Sequence, residues 1–131
     1  MNQSALSQYR DIGVNSGVTD ANPHHLRALL LAGAADRVAS ARGAIERGQI
    51  GRRGELISET IAIVDSLRAS LDHEKGGEVA ANLASLYDYM EQRLVEANMN
   101  GDVAHLQEVG ALLAQIRTAW ESIPADTRQG Q

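Results

Sequence analysis

Residues 78–98 read EVAANLASLYDYMEQRLVEAN. Within them Val79, Leu83, Leu86, Met90, Leu94 and Ala97 recur at steps of three and four. That spacing gathers side chains on one face of a helix turning about 100° per residue. A half-buried strand would instead alternate at every second residue, and no such run competes here. The same period extends outward in both directions. Upstream it places Ile57, Ile61, Val64, Leu67 and Leu71 on a second stripe, and Leu31, Ala34, Val38, Ala41 and Ile45 on a third. Downstream it places Leu106, Val109, Leu113, Ile116 and Trp120 on a fourth. Asn22 followed by Pro23 is a helix start, with a capping side chain and then a residue whose missing N–H costs nothing there. Gly48 and Gly51, Gly76-Gly77, Asn100-Gly101 and Pro124 punctuate the remainder. The spacing predicts helices over residues 24–48, 52–73, 78–98 and 103–122. Links this short make successive helices antiparallel, so the expected fold is all-α: an up-down four-helix bundle over residues 22–123.

Two stretches fall outside that bundle. Residues 1–21 carry Leu6, Tyr9, Ile12, Val14 and Val18 among Ser, Asn and Gly. They are too apolar for a plain solvated tail and too broken for a long helix, so they are expected to dock as a capping segment. Residues 124–131 follow Pro124 with nothing to bury and are expected to fray as a flexible tail.

The composition narrows the function. With 131 residues the chain fits one core. It has no cysteine, which excludes disulfides and thiolate metal sites and suits a reducing cytoplasm. A formal charge of -5 disfavours a polyanion, so nucleic acid is not an expected partner. No apolar run approaches the length of a membrane span, and the N-terminus has no secretory pattern, so no membrane insertion is expected.

Chemistry is poorly served by the residues present. A carboxylate-bridged dinuclear metal bundle needs Glu-x-x-His on two helices, and the sequence has none. Asp102-x-x-His105 is the nearest, while His24 and His25 are adjacent and cannot share a face. His73-Glu74-Lys75-Gly76 approaches the His-x-x-Lys-Gly pattern of histidine phosphotransfer bundles but is one residue short. A histidine phosphotransfer or metal-binding helical bundle is therefore the alternative reading. The leading expectation is no catalysis, no cofactor and no metal.

Other residues point to binding. Leu56 and Ile63 flank the Ile57 stripe and widen its apolar arc to roughly 160°. Tyr87 and Tyr89 point roughly 200° apart, so one of them should be substantially exposed. Wide arcs serve an ordinary bundle whose helices each touch two neighbours, or they line a groove for a partner helix. On the second reading Leu56, Ile63, Tyr87 and Tyr89 are candidate partner-binding residues, with Leu56, Ile63 and Tyr89 on an exposed flank. On the first, an apolar flank left over could instead make a homodimer, so the chain is expected to be a monomer or weak homodimer.

Residues 70–102, SLDHEKGGEVAANLASLYDYMEQRLVEANMNGD, resemble the signature stretch of the flagellar secretion chaperone FliS family. The resemblance reaches back through Ile45-Glu46 and Gly33-Ala34 to VTDANPHHL at residues 18–26, and to Tyr9 and Val14. It reaches forward through Leu106, Val109 and Leu112-Leu113 to Ala119-Trp120. Where the family often has Leu-Tyr-Asp-Gly-Ala, this chain reads Leu30-Leu31-Ala32-Gly33-Ala34, so a contact made by that Tyr-Asp pair does not carry over. The resemblance implies a cytoplasmic export chaperone that binds the disordered C-terminal segment of flagellin, prevents premature polymerisation and presents the subunit to the export gate of the flagellar type III secretion apparatus. It also implies that the N-terminal segment caps the client surface, through Tyr9, Ile12 and Val14.

Overall fold

The computed structural model describes residues 22–122, and all that follows concerns these. They form four helices: α1 (Pro23–Glu46), α2 (Ile50–Ala69), α3 (His73–Asn100) and α4 (Val103–Glu121). No strand occurs among the described residues. The expected all-α bundle is the observed one. The capping segment at residues 1–21 and the tail at residues 124–131 were expectations about residues that lie outside the described ones, as do Tyr9, Ile12 and Val14.

Local chemistry fixes the helix starts. The Asn22 side chain accepts from the His25 amide at 3.2 Å, with Pro23 opening α1. Asp102 caps α4 by accepting from the Ala104 amide at 2.8 Å. Between α3 and α4, Gly101 takes φ 62° and ψ 40°, a left-handed conformation that costs glycine little. The third start departs from the sequence expectation. Asp72 accepts from the amides of Glu74 and Lys75, so His73 opens α3 instead of closing α2. Gly76-Gly77 does interrupt the helical backbone: Gly77 takes φ 49° and ψ -119°, outside the helical range and accessible essentially to glycine alone, so a first turn opened by His73 meets the long helix at a kink there.

The helices pack in a ring in which α1 and α3 each touch α2 and α4. Polar ties hold the ends in register. Arg27 donates to the Ser70 carbonyl at 3.0 Å, joining the start of α1 to the end of α2. Arg53 donates to the Asn98 carbonyl at 2.8 Å, joining the start of α2 to the end of α3. Arg37 of α1 pairs with Glu59 of α2 at 2.9 Å in a mostly enclosed position. Such pairs fix register more reliably than they add stability.

The apolar stripes converge on one core. Leu31, Ala34, Val38 and Ala41 meet Ile57, Val64 and Leu67, and these meet Met90, Leu94, Ala97, Leu106, Val109 and Leu113. Thr60 is fully buried there, and its hydroxyl donates to the Leu56 carbonyl at 2.8 Å, so no hydroxyl is left unsatisfied. Leu94 has no exposed surface. Its replacement by alanine should cost about 2–5 kcal/mol through lost transfer energy and a residual cavity. Denaturant unfolding followed by circular dichroism checks this, with a shift of midpoint at unchanged slope expected.

Candidate functional site

The four stripes do not close equally along their length. On α3, Met90, Leu94 and Ala97 are completely covered, whereas Leu83 and Leu86 are only partly covered and Val79 is 66% exposed. Val79 was expected in the core. It is instead on the rim of a groove of about 530 Å³ at the end of the bundle where α1 and α3 begin and α2 and α4 end.

Each helix contributes to this groove according to the antiparallel order. Leu67 of α2 and Tyr87 of α3 lie deep in it, both buried. Val79, Leu83 and Leu86 form the α3 wall, and Ile116, Ala119 and Trp120 the α4 wall. Arg27 and Leu31 enter from α1. Around the kink, Asp72, Lys75 and Gly76 complete the end. At Gly76 an added Cβ would stand 2.9 Å from the Ala80 Cβ, so the turn packs too closely there for a larger residue. The lining is mainly apolar, with a few polar groups among which are Arg27, Asp72, Lys75 and Gln115, the usual build of a binding cleft.

Two side chains of α1 pack against Trp120. Its ring lies 4.9 Å from that of His24 between centroids, and the Arg27 guanidinium sits 5.1 Å from its centroid. Trp120 Nε1 is buried with no hydrogen-bond partner among the described residues. Burial lowers the Arg27 pKa, against the opposing influence of Tyr87 and Asp72. Burial also pushes the Tyr87 hydroxyl up to about 12, with Arg27 acting the other way, so the phenol stays neutral.

Of the candidate partner-binding side chains that lie among the described residues, only Tyr87 lines this groove. Leu56 and Ile63 do not stand on an exposed flank: they are 3% and 0% exposed and belong to the core. The physical reason is that α2 is sandwiched between α1 and α3, so its wide arc is consumed by two neighbours. Tyr89 is half-buried on the α3–α4 seam, where its hydroxyl donates to Glu108 at 2.6 Å and accepts from Arg93 at 2.9 Å. Neither tyrosine is substantially exposed. Groove residues that the sequence reading placed on the core stripes include Val79, Leu83, Leu86, Ile116 and Trp120. Their signal was position: they occupy the stripe ends that an antiparallel bundle brings together.

Chemical constellations are sparse. His73 opens α3 and is exposed. His105 lies 3.6 Å from Glu96 and 3.8 Å from Asp102. Among the described residues no three His, Asp or Glu side chains group as metal ligands would, and no helix is long and apolar enough to cross a membrane.

What fold and site define is a helical bundle with an apolar groove open at one end, a build suited to holding a helical or extended segment of another protein. The family model described as flagellar protein FliS matches residues 5–127. The chain belongs to this family. It is 49% identical to the flagellar secretion chaperone FliSB of Pseudomonas aeruginosa over 119 residues, 91% of this chain and 94% of the relative. It is 43% identical to FliS of Salmonella typhimurium, over 92% of this chain and 90% of the relative. It is 34% identical to FliS of Vibrio cholerae, over 95% and 91% respectively. The latter two are likewise flagellar secretion chaperones by name.

The burial pattern separates two kinds of substitution. Ile63→Asp places a charge in a fully enclosed site and should unfold the bundle, while Val79→Asp places one on the groove rim and should leave it folded. Helical ellipticity and thermal unfolding of the two variants check this; comparable loss in both would contradict the burial assignment.

Proposed function

We propose that the chain is a cytoplasmic export chaperone that holds the disordered C-terminal segment of flagellin, keeps it from polymerising early and aids its delivery to the flagellar type III secretion apparatus. The observation that carries this reading is the half-covered stripe of α3, where Val79, Leu83 and Leu86 face Ile116 and Trp120 across open space. A segment disordered in solution lacks a core of its own and folds into an amphipathic helix only against such a surface. Membership in a family whose curated members are named flagellar secretion chaperones supports the flagellar client. Delivery makes the export gate protein a second partner. The reading requires no cofactor and no covalent step, so the protein acts as a binding partner and not as an enzyme.

Calorimetric titration with a peptide of the flagellin C-terminus tests it. Val79→Asp and Leu83→Asp should weaken binding by about tenfold or more each, since a desolvated charge facing an apolar ligand costs well over 1.4 kcal/mol. Unchanged affinity in both, with helicity intact, would remove the groove from the client site. Tyr89, held by Glu108 and Arg93 on the seam beyond the groove, should matter less.

The N-terminal segment supplies a second expectation. Leu6, Tyr9, Ile12 and Val14 precede α1, whose first turns border the groove through Arg27. We take the segment as a lid that competes with the client for this surface. Closed molecules subtract from the binding-competent fraction, so deleting residues 1–14 should tighten client binding. Dissociation constants of full-length and truncated protein at equal helicity decide the point, and a weaker or unchanged value for the truncation rules the lid out.

A further inference from the structure

Away from the groove, four charged side chains meet across the seam between α2 and α3. Arg68 of α2 donates through Nη2 to Asp65 at 3.0 Å, one turn back on its own helix. Its Nη1 reaches across to Asp88 of α3. Glu91, one turn further along α3, completes the group, and its Oε2 is enclosed without a hydrogen-bond partner among the described residues. Three carboxyls therefore share one guanidinium, which already engages Asp65 and Asp88. If all three ionise, Glu91 is an anion beside two others with its enclosed oxygen unsatisfied, an arrangement that costs free energy in both desolvation and repulsion. If Glu91 keeps its proton, it is neutral and can donate toward Asp65 across the seam.

Among the described residues, few charges act on it. From α2 the groups that face Glu91 are Asp65 and Arg68, and from its own helix Asp88. The α4 groups directed at α3, Glu108 and His105, engage Tyr89, Arg93 and Glu96. Helix α1 packs on α2 and α4.

We propose that Asp65, Arg68, Asp88 and Glu91 form a proton-operated latch between α2 and α3, closed when Glu91 is protonated and loosened when it ionises. Burial first, then hydrogen bonding with Asp65 and the negative charge of Asp65 and Asp88, push the Glu91 carboxyl up to about 7, with Arg68 opposing. The latch therefore operates near neutrality. Its place matters for the bundle, because Arg68 follows Leu67 and Asp88 follows Tyr87, the two buried residues deep in the groove. Loosening the seam slackens the support on which the groove rests.

The sign of the pH effect follows from linkage. Between an ordinary glutamate pKa near 4.5 and about 7, the folded chain retains a proton that the unfolded chain has lost. The stability contributed by this group is therefore complete below that window and falls as pH rises through it. Glu91→Gln mimics the protonated acid and removes the titration. Thermal unfolding of the full chain from pH 5 to 8.5 should show wild type and Glu91→Gln nearly equal at the acid end. The variant should become progressively more stable than wild type up to about pH 7, with a constant gap beyond. Taking the difference cancels whatever other titrations the two proteins share. A gap that does not change with pH overturns the proposal. Side-chain carboxyl NMR of the folded wild type gives an independent reading: Glu91 should titrate near 7, and Asp65→Asn should lower its midpoint. A Glu91 midpoint in the ordinary carboxylate range, or one indifferent to Asp65→Asn, also overturns it.

Discussion

The structure depends on how α3 is covered. Its apolar stripe runs without interruption from Val79 to Ala97, yet the bundle buries only the second half completely. At one end Met90, Leu94 and Ala97 lock into Leu106, Val109 and the α2 side chains and hold the fold. At the other, α4 ends in Ile116, Ala119 and Trp120 without closing on Val79 and Leu83. Burial of apolar area is the dominant stabilising term, at about 25 cal/mol per Å², so a stripe left half open is a standing driving force for something else to cover it. Closed core and open groove are thus one stripe in two states of completion, which lets a small domain stay folded while it offers an apolar surface.

Electrostatics divides along the same line. The closed end is tied by Arg53 to the Asn98 carbonyl, and the mid-bundle by Arg37 to Glu59 and by Arg93 and Tyr89 to Glu108. These ties are local and directional, and they set register without competing for the groove. At the open end the charges lining the groove are Arg27, Asp72 and Lys75, with Arg27 over Trp120. A few polar groups in a mainly apolar wall would orient a bound segment while the apolar surface holds it.

The sequence revealed the helices because their stripes are long and periodic and their caps are chemically explicit at Asn22 and Asp102. It placed a break at Gly76-Gly77, where Gly77 does leave the helical range, but ran α2 on to residue 73; the amides of Glu74 and Lys75 donating to Asp72 show that α2 has ended and that a turn opened by His73 precedes the kink. Leu56 and Ile63 were legible as apolar but not as buried, since periodicity gives a residue's angle on its helix and not how many neighbours the helix has. Sandwiched between α1 and α3, α2 uses its whole arc. Val79, Leu83 and Trp120 erred in the opposite direction, because identical spacing along a stripe does not tell where the facing helix stops. The kind of surface could thus be inferred from an excess of apolar arc, while its location required the three-dimensional packing.

Methyl and indole NMR during titration with the flagellin C-terminal peptide tests the central claim most directly, because it compares the two halves of one stripe in one molecule. The account predicts that the methyls of Val79, Leu83, Leu86 and Ile116 and the Trp120 indole undergo the largest shifts, while Leu94, Leu106 and Val109 change little. Shifts concentrated on another face of the bundle, or equal in the closed and open halves, would contradict it.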